Sequence, residues 1–355
     1  MRRRRPVGFP AAFARVRGAR GLRVGLALGL GLALATTSAA AQTTHLLIIS
    51  GIGGVPAYAD TFYRESAALV DAAHARLGLP DSSVVLLAEY PARDPKRIQA
   101  RSTLENVGRA IDELARRSRA GDRVLVVLIG HGNDADGTPM LNLPGPDLSA
   151  AALSRMLDTL EGRDVAVVNT TSASGGFVAG LAHRGRIVIT ATRSAGESNE
   201  TIFGRYFVEA LTSDGADTDK DGTVSLLEAF EYARREVARA YQQERELQTE
   251  HALLDGDGDG VATMAPDSSG GDRIPAAAFV LNATTPATTM LAAAPADSAT
   301  RALVAKRREL QQKIAALEAR KSAMDAGAYE AALDPLLLEL ARTDAAIRAA
   351  GARAP

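Results

Sequence analysis

The sequence predicts an α/β protein: a mostly parallel sheet with helices on both faces, followed by a C-terminal helical hairpin or coiled coil. Three observations carry this. Apolar, β-branched runs alternate with helical patterns from residue 45 to residue 192. The run DRVLVVLIG (122–130) has no polar/apolar alternation, so both its faces are covered, as in a parallel sheet. After residue 300, Leu303, Leu310, Ile314, Leu317 and Met324 keep coiled-coil spacing, and Leu333, Leu337, Leu340 and Ile347 resume it after a break at DAGA.

The elements follow in order. HLLIISG (45–51) reads as a buried strand. The segment after it carries Phe62, Leu69, Ala73 and Leu77 on one helical stripe. SVVLLAEY (83–90) is the second strand. Ser102 and Glu105 have capping-box spacing and open a helix with Leu104, Val107, Ile111 and Leu114. DRVLVVLIG is the third strand, DLSAAALSRMLDTL (147–160) a helix, and RDVAVVNT (163–170) and RIVITAT (186–192) the fourth and fifth strands. AAAFVLNA, after residue 275, reads as one more strand. Right-handed crossovers then give the mostly parallel sheet, with chemistry expected at the carboxyl ends of its strands.

The chain opens with a basic stretch lacking acids, then an apolar run of 11 residues, GLALGLGLALA, then TTSAAAQ. That is a secretory signal with a cut expected after Ala41; a retained signal anchor is the alternative. The run is short for a membrane span, and no stable span is expected after cleavage. The Ala-, Arg- and Gly-rich composition suggests a bacterial protein that is periplasmic or secreted. Net charge is −1, and nothing suggests a nucleic-acid surface. Cysteine is absent, which excludes disulfides and thiol catalysis. The expected domains are a signal peptide over 1–41, an α/β domain over 42–283, a Pro/Ala/Thr linker over 284–300 and the hairpin over 301–350, which offers a surface for self-association.

Two strand ends carry candidate chemistry. The third strand ends in His131, between Gly130 and Gly132; the fourth ends in VVNTTSASGG, with Ser172 and Ser174. Neighbouring strand ends lie roughly 5–10 Å apart, so an imidazole and a hydroxyl there have the geometry of a base and a nucleophile. The alternative is that His131 caps a strand and Ser172 serves a turn. GIGG, after the first strand, hints at a dinucleotide loop, but Pro56 takes the place of the third glycine.

These strand ends resemble those of the caspase-like fold, and within it the legumain-like peptidases, over roughly 42–283. VLVVLIGHGN resembles the family's His-Gly strand end, VVNTTSASGG the strand end bearing its catalytic Cys, and TATRSAGESN the strand and loop that follow. The resemblance implies that His131 is the base, that position 172 holds the nucleophile, and that peptides or proteins are substrates. The backbone N–H groups of Gly132 and Ser172 would then form an oxyanion hole. The departure is that position 172 is Ser. An alcohol stays protonated and needs an oriented base, where a thiol can rest as thiolate. Asp134 and Asp136 are candidates for the orienting third group. The family's acidic residue two positions before the nucleophile is Thr170 here, and the basic residue of its first loop is missing. Specificity for Asn is therefore not carried over.

DTDKDGTVSLLE (217–228) fits the EF-hand-type calcium loop position for position. Asp217, Asp219 and Asp221 supply side-chain oxygens, Gly222 the turn, Thr223 its carbonyl and Ser225 a water-mediated contact. Glu228 is expected to bind bidentately, and Ser225 and Glu228 also form a capping box. A second run, DGDGDG, repeats Asp255, Asp257 and Asp259, but its twelfth position is Pro266. It is read either as a weaker Ca2+ site or as a glycine-rich turn. Two functions are therefore in view: a calcium-stabilised hydrolase using Ser172 and His131, or a non-catalytic caspase-like module that binds a protein partner.

Overall fold

The computed structural model describes residues 42–267, 271–281, separate positions between 303 and 317, and 325–351. The segment read as a signal and the linker lie outside them, as do Met324 and much of the first arm of the hairpin.

Seven strands form the main sheet. In chain order they are β1 (Thr44–Ser50), β2 (Val84–Ala88), β3 (Ile98–Arg101), β4 (Arg123–Ile129), β8 (Asp164–Asn169), β9 (Arg186–Thr190) and β10 (Leu253–Asp255). Their spatial order is β10-β9-β8-β4-β1-β2-β3. Only β10 runs antiparallel, against β9. The sheet grows outward in both directions from the β1/β4 pair, so β4 and β8 stand side by side next to the point where the order reverses.

The strand sequences explain the covering on both faces. Leu46, Ile48, Leu125, Val127, Ala166 and Val168 pack on one side with Phe62, Leu69, Phe203, Phe207 and Phe230. Their alternates Leu47, Ile49, Val124, Val126, Val165 and Val167 pack on the other with Ile111, Leu114, Leu153 and Phe177. The first face is covered by α1 (Pro56–Ala75), α5 (Phe203–Thr212) and α6 (Leu226–Glu244). The second is covered by α2 (Leu104–Arg117), α3 (Ala150–Leu157) and α4 (Phe177–Leu181). This is the mostly parallel α/β architecture expected from the sequence. A second, three-stranded sheet of β5 (Gly132–Ala135), β6 (Thr138–Leu141) and β7 (Leu148–Ser149) rises from the end of β4.

Two local expectations are corrected. Helix α2 is capped by Thr103, whose hydroxyl accepts from the Asn106 N–H, and not by Ser102. Ser102 is buried, with no partner for its Oγ among the described residues. AAAFVLNA is not a strand: Arg273–Ala278 form α7, and Val280 makes one isolated bridge to Ser225. At the C-terminus, Ala326–Gly351 form α8, with Pro335 inside it. Asp325 caps this helix through the N–H groups of Gly327 and Ala328, so the helix starts within DAGA. Lys306 pairs with Glu339 at 2.5 Å, and Leu310 is buried.

Candidate active site and acidic loops

The ends of β4 and β8 meet as the sheet register requires. A methyl group at Gly132 would collide with the Ser172 carbonyl and the Thr171 hydroxyl, so only glycine permits this approach. Ser172 is buried, and its hydroxyl is bonded in both directions to one residue. It accepts from the Gly132 N–H at 3.1 Å and donates to the Gly132 carbonyl at 3.0 Å. The Gly132 N–H expected to serve an oxyanion hole is thus engaged by the Ser172 side chain.

The turn after Ser172 is held from several sides. Ala173 adopts a left-handed φ of 54°, and its N–H donates to the Glu197 carbonyl at 2.8 Å. Ser174 is buried and accepts from the N–H groups of Ala191 and Thr192, tying the turn to the exit of β9. The Glu197 carboxylate accepts from Arg193 and from the backbone and Nδ1 of His251, the latter at 2.7 Å. His251 is therefore a brace for the site.

His131 lies edge-on to two rings of α1, with centroids 4.7 Å from Tyr58 and 5.0 Å from Phe62. No hydrogen bond reaches its imidazole from the described residues. His131 and Ser172 line one small cavity of about 20 Å³, together with Thr61, Glu65, Thr170, Glu200 and Gly204. That volume admits about one water-sized group. Asp134 and Asp136 are exposed on the β5–β6 hairpin and do not line the cavity.

The charges in this cavity belong to residues that the motifs did not single out. Burial, and next the nearby Glu200 carboxylate, push the Glu65 carboxyl up to about 7. The Tyr58 hydroxyl is held above its ordinary value by a hydrogen bond to Glu200. Tyr58, Phe62 and Glu65 are four and three residues apart on α1, so they share the helix face turned to the strand ends. That spacing was the available signal. Gly204 keeps the cavity open: a methyl group there would lie 3.0 Å from Thr170 Oγ1 and 3.1 Å from Glu65 Oε2.

In the first acidic loop, carboxylate oxygens of Asp217, Asp219 and Asp221 lie within 4.8 Å of one another. Asp217 Oδ2 accepts from the Gly222 N–H, while Asp217 Oδ1 is buried and has no hydrogen-bond partner. Glu228 departs from the expected bidentate role. Its two oxygens accept from the backbone and hydroxyls of Thr218 and Ser225, and it stands outside the converging group. The Ser225–Glu228 capping box at the start of α6 is present. Ser225 Oγ is spent on that box, and Thr223 bonds Asp221 through its N–H and hydroxyl.

The second loop repeats this pattern. Asp255 accepts from the N–H of Gly260 as Asp217 does from Gly222, and Asp257 and Asp259 each accept from the N–H two residues on. The group that converges here is Asp255, Asp257 and Asp272. Asp259 is not part of it. Asp272, far from the loop in sequence, supplies the carboxylate that Pro266 cannot.

Comparison with known proteins gives the following. No curated protein matches the chain. Among solved structures it is similar to the Drosophila initiator caspase Dronc, at 10% identity and a TM-score of 0.38, covering 61% of this chain and 79% of that one. It is also similar to protein GSU0716 from Geobacter sulfurreducens, at 12% identity and a TM-score of 0.42, covering 68% and 99%. The model of the Peptidase C13 family matches residues 106–253, the segment that holds both His131 and Ser172.

Proposed function

We propose that the chain is an exported, calcium-stabilised, caspase/legumain-like protein that binds a peptide or protein segment at the ends of β4 and β8 without cleaving it. The observation that carries this is the pairing of the Ser172 hydroxyl with Gly132 in both directions. A serine nucleophile must pass its proton to a base, and this proton is held by a carbonyl. The thiol chemistry of the C13 peptidases has no residue to perform it, since the chain has no cysteine. The cavity beside Ser172 is too small for a side chain, so the bound segment lies across its mouth, where the Glu200 carboxylate favours a positively charged group. The exposed Leu337 and Leu338 support a role for the C-terminal helix in self-association.

Calcium at the first loop is supported by the buried, unpartnered Asp217 Oδ1 and by an all-oxygen donor set that suits a hard cation. Asp255, Asp257 and Asp272 would hold a second ion.

A second reading, hydrolysis by Ser172 with His131 as base, is favoured by one observation: both residues line one cavity, with the Gly132 N–H against Ser172 Oγ. Rotation of Ser172 away from Gly132 would free both the hydroxyl and the oxyanion donor. A diverse peptide library incubated with the protein in calcium, beside Ser172→Ala, separates the two. Binding without cleavage by either protein is the expected result. Cleavage that Ser172→Ala abolishes would replace our reading with the serine peptidase.

A further inference from the structure

We infer that a second binding site, for a monocarboxylate with an apolar body, lies on α6 away from the strand ends. Arg234, in the middle of α6, makes no hydrogen bond or ion pair among the described residues, and its Nε is shut off from solvent without a partner. Its neighbours are accounted for. Arg239 pairs with Glu236 at 3.1 Å; Arg235 reaches Glu236 at 3.6 Å and lies over the Tyr232 ring; Arg273 pairs with Glu231 at 2.8 Å. Arg234 is left with a planar, permanently charged fork and nothing to fill it. The shut-off Nε is not reachable from outside, but the two Nη groups are not shut off and have no protein acceptor among the described residues, so they are the donors that an acceptor would meet.

The surroundings define what that acceptor is attached to. Arg234 lines a cleft of about 590 Å³ with Glu231, Arg235, Gln248, His251 and Met264. The size is that of a small-molecule site and far exceeds a bare ion. Met264, itself 44% exposed, supplies apolar surface at the cleft. A single carboxylate matches the guanidinium in shape and charge. Gln248 adds an amide whose Nε2 is already committed to the Glu250 carbonyl. The cleft also touches His251, whose Nδ1 is fixed on Glu197, and Glu197 holds the turn at Ala173. A carboxylate in the cleft therefore sits at the outer end of the brace behind Ser172.

The test is a titration of the purified protein with benzoate, followed by calorimetry, with benzamide as the neutral analogue and sulfate as the bare anion. Benzoate is expected to bind to a single site, with benzamide and sulfate at least tenfold weaker. Arg234→Gln should weaken benzoate by about tenfold or more, the loss of one charge-assisted contact. Arg234→Lys, which keeps the charge but not the fork, should fall between, and Arg239→Gln should leave binding unchanged. Equal binding of benzoate and benzamide, or benzoate binding unaltered by Arg234→Gln in a protein that melts normally, would overturn the proposal. So would a lack of benzoate binding altogether. These outcomes are independent of whether peptides bind at the strand ends.

Discussion

At the scale of single residues, the molecule is organised by which polar groups find partners. Ser172 has two, and both lie on Gly132. Ser172→Ala should cost about 1 kcal/mol in chemical denaturation, the ordinary value of a hydrogen-bonded hydroxyl, and leave peptide binding in place. Glu250 is a sharper case. It is 1% exposed and accepts from the N–H groups of Ile202 and Phe203 at the start of α5, yet burial pushes its carboxyl up to about 7. The native state then holds a proton that the unfolded chain, with an ordinary value near 4.5, releases earlier. This contribution is complete below about pH 4.5 and is lost as pH rises to 7. Glu250→Gln removes the titration. Its stability relative to the parent should rise with pH, by up to about 3 kcal/mol between pH 4.5 and 8; a difference that stays flat with pH would show Glu250 ionised throughout. The His131 and Ser172 positions were legible in the sequence because glycines and an apolar strand frame them. Glu65 and Glu250 were not, because a carboxylate in a helix or a loop looks solvated until tertiary packing buries it.

At the scale of elements, caps and short strands separate what the pattern gives from what packing decides. The α2 cap moved by one residue, from Ser102 to Thr103, since spacing alone does not fix which hydroxyl has the extended backbone an N-cap needs. Thr103→Ala should therefore cost about 1 kcal/mol, whereas Ser102→Ala, which removes a buried hydroxyl with no partner, should be neutral or stabilising. Thermal melts of the two variants decide this, and the reverse order would restore Ser102 as the cap. Strands β3, β5, β6, β7 and β10 escaped the reading because two to four residues carry too little alternation to register. The strands that were read, β1, β2, β4, β8 and β9, are longer, apolar and covered on both faces. AAAFVLNA shows the opposite error: an apolar run too short to distinguish a buried strand from a helix end.

At the scale of the whole molecule, the two acidic loops differ in reach: the first is local, and the second draws in a residue from another part of the chain. The first joins α5 to α6, and the second follows β10 and reaches Asp272 just before α7. An ion that binds only the folded chain stabilises it by mass action. Millimolar calcium should raise the melting temperature by a few degrees, the equivalent of about 1–3 kcal/mol, and excess chelator should reverse it. Asp217→Asn should remove part of the shift and Asp272→Asn another part. A melting temperature indifferent to calcium and chelator would remove the metal from the account. The convergence of Asp217, Asp219 and Asp221 was legible because their spacing is local. Asp272 was not, because the fold and not the spacing brings it to Asp255.

The close contact between Gly132 and the Ser172 turn has a consequence for protein engineering. The backbone that would receive a reacting thiol is already in place, and the chain contains no other sulfhydryl to confuse the outcome. Ser172→Cys would create a sole thiol beside the Gly132 N–H and in the same cavity as His131. Alkylation by iodoacetamide would then report on that one atom, with a rate at neutral pH above that of a free cysteine if the surroundings favour the thiolate. Exchanging a single oxygen for sulfur would thus place one reactive atom at the meeting point of β4 and β8.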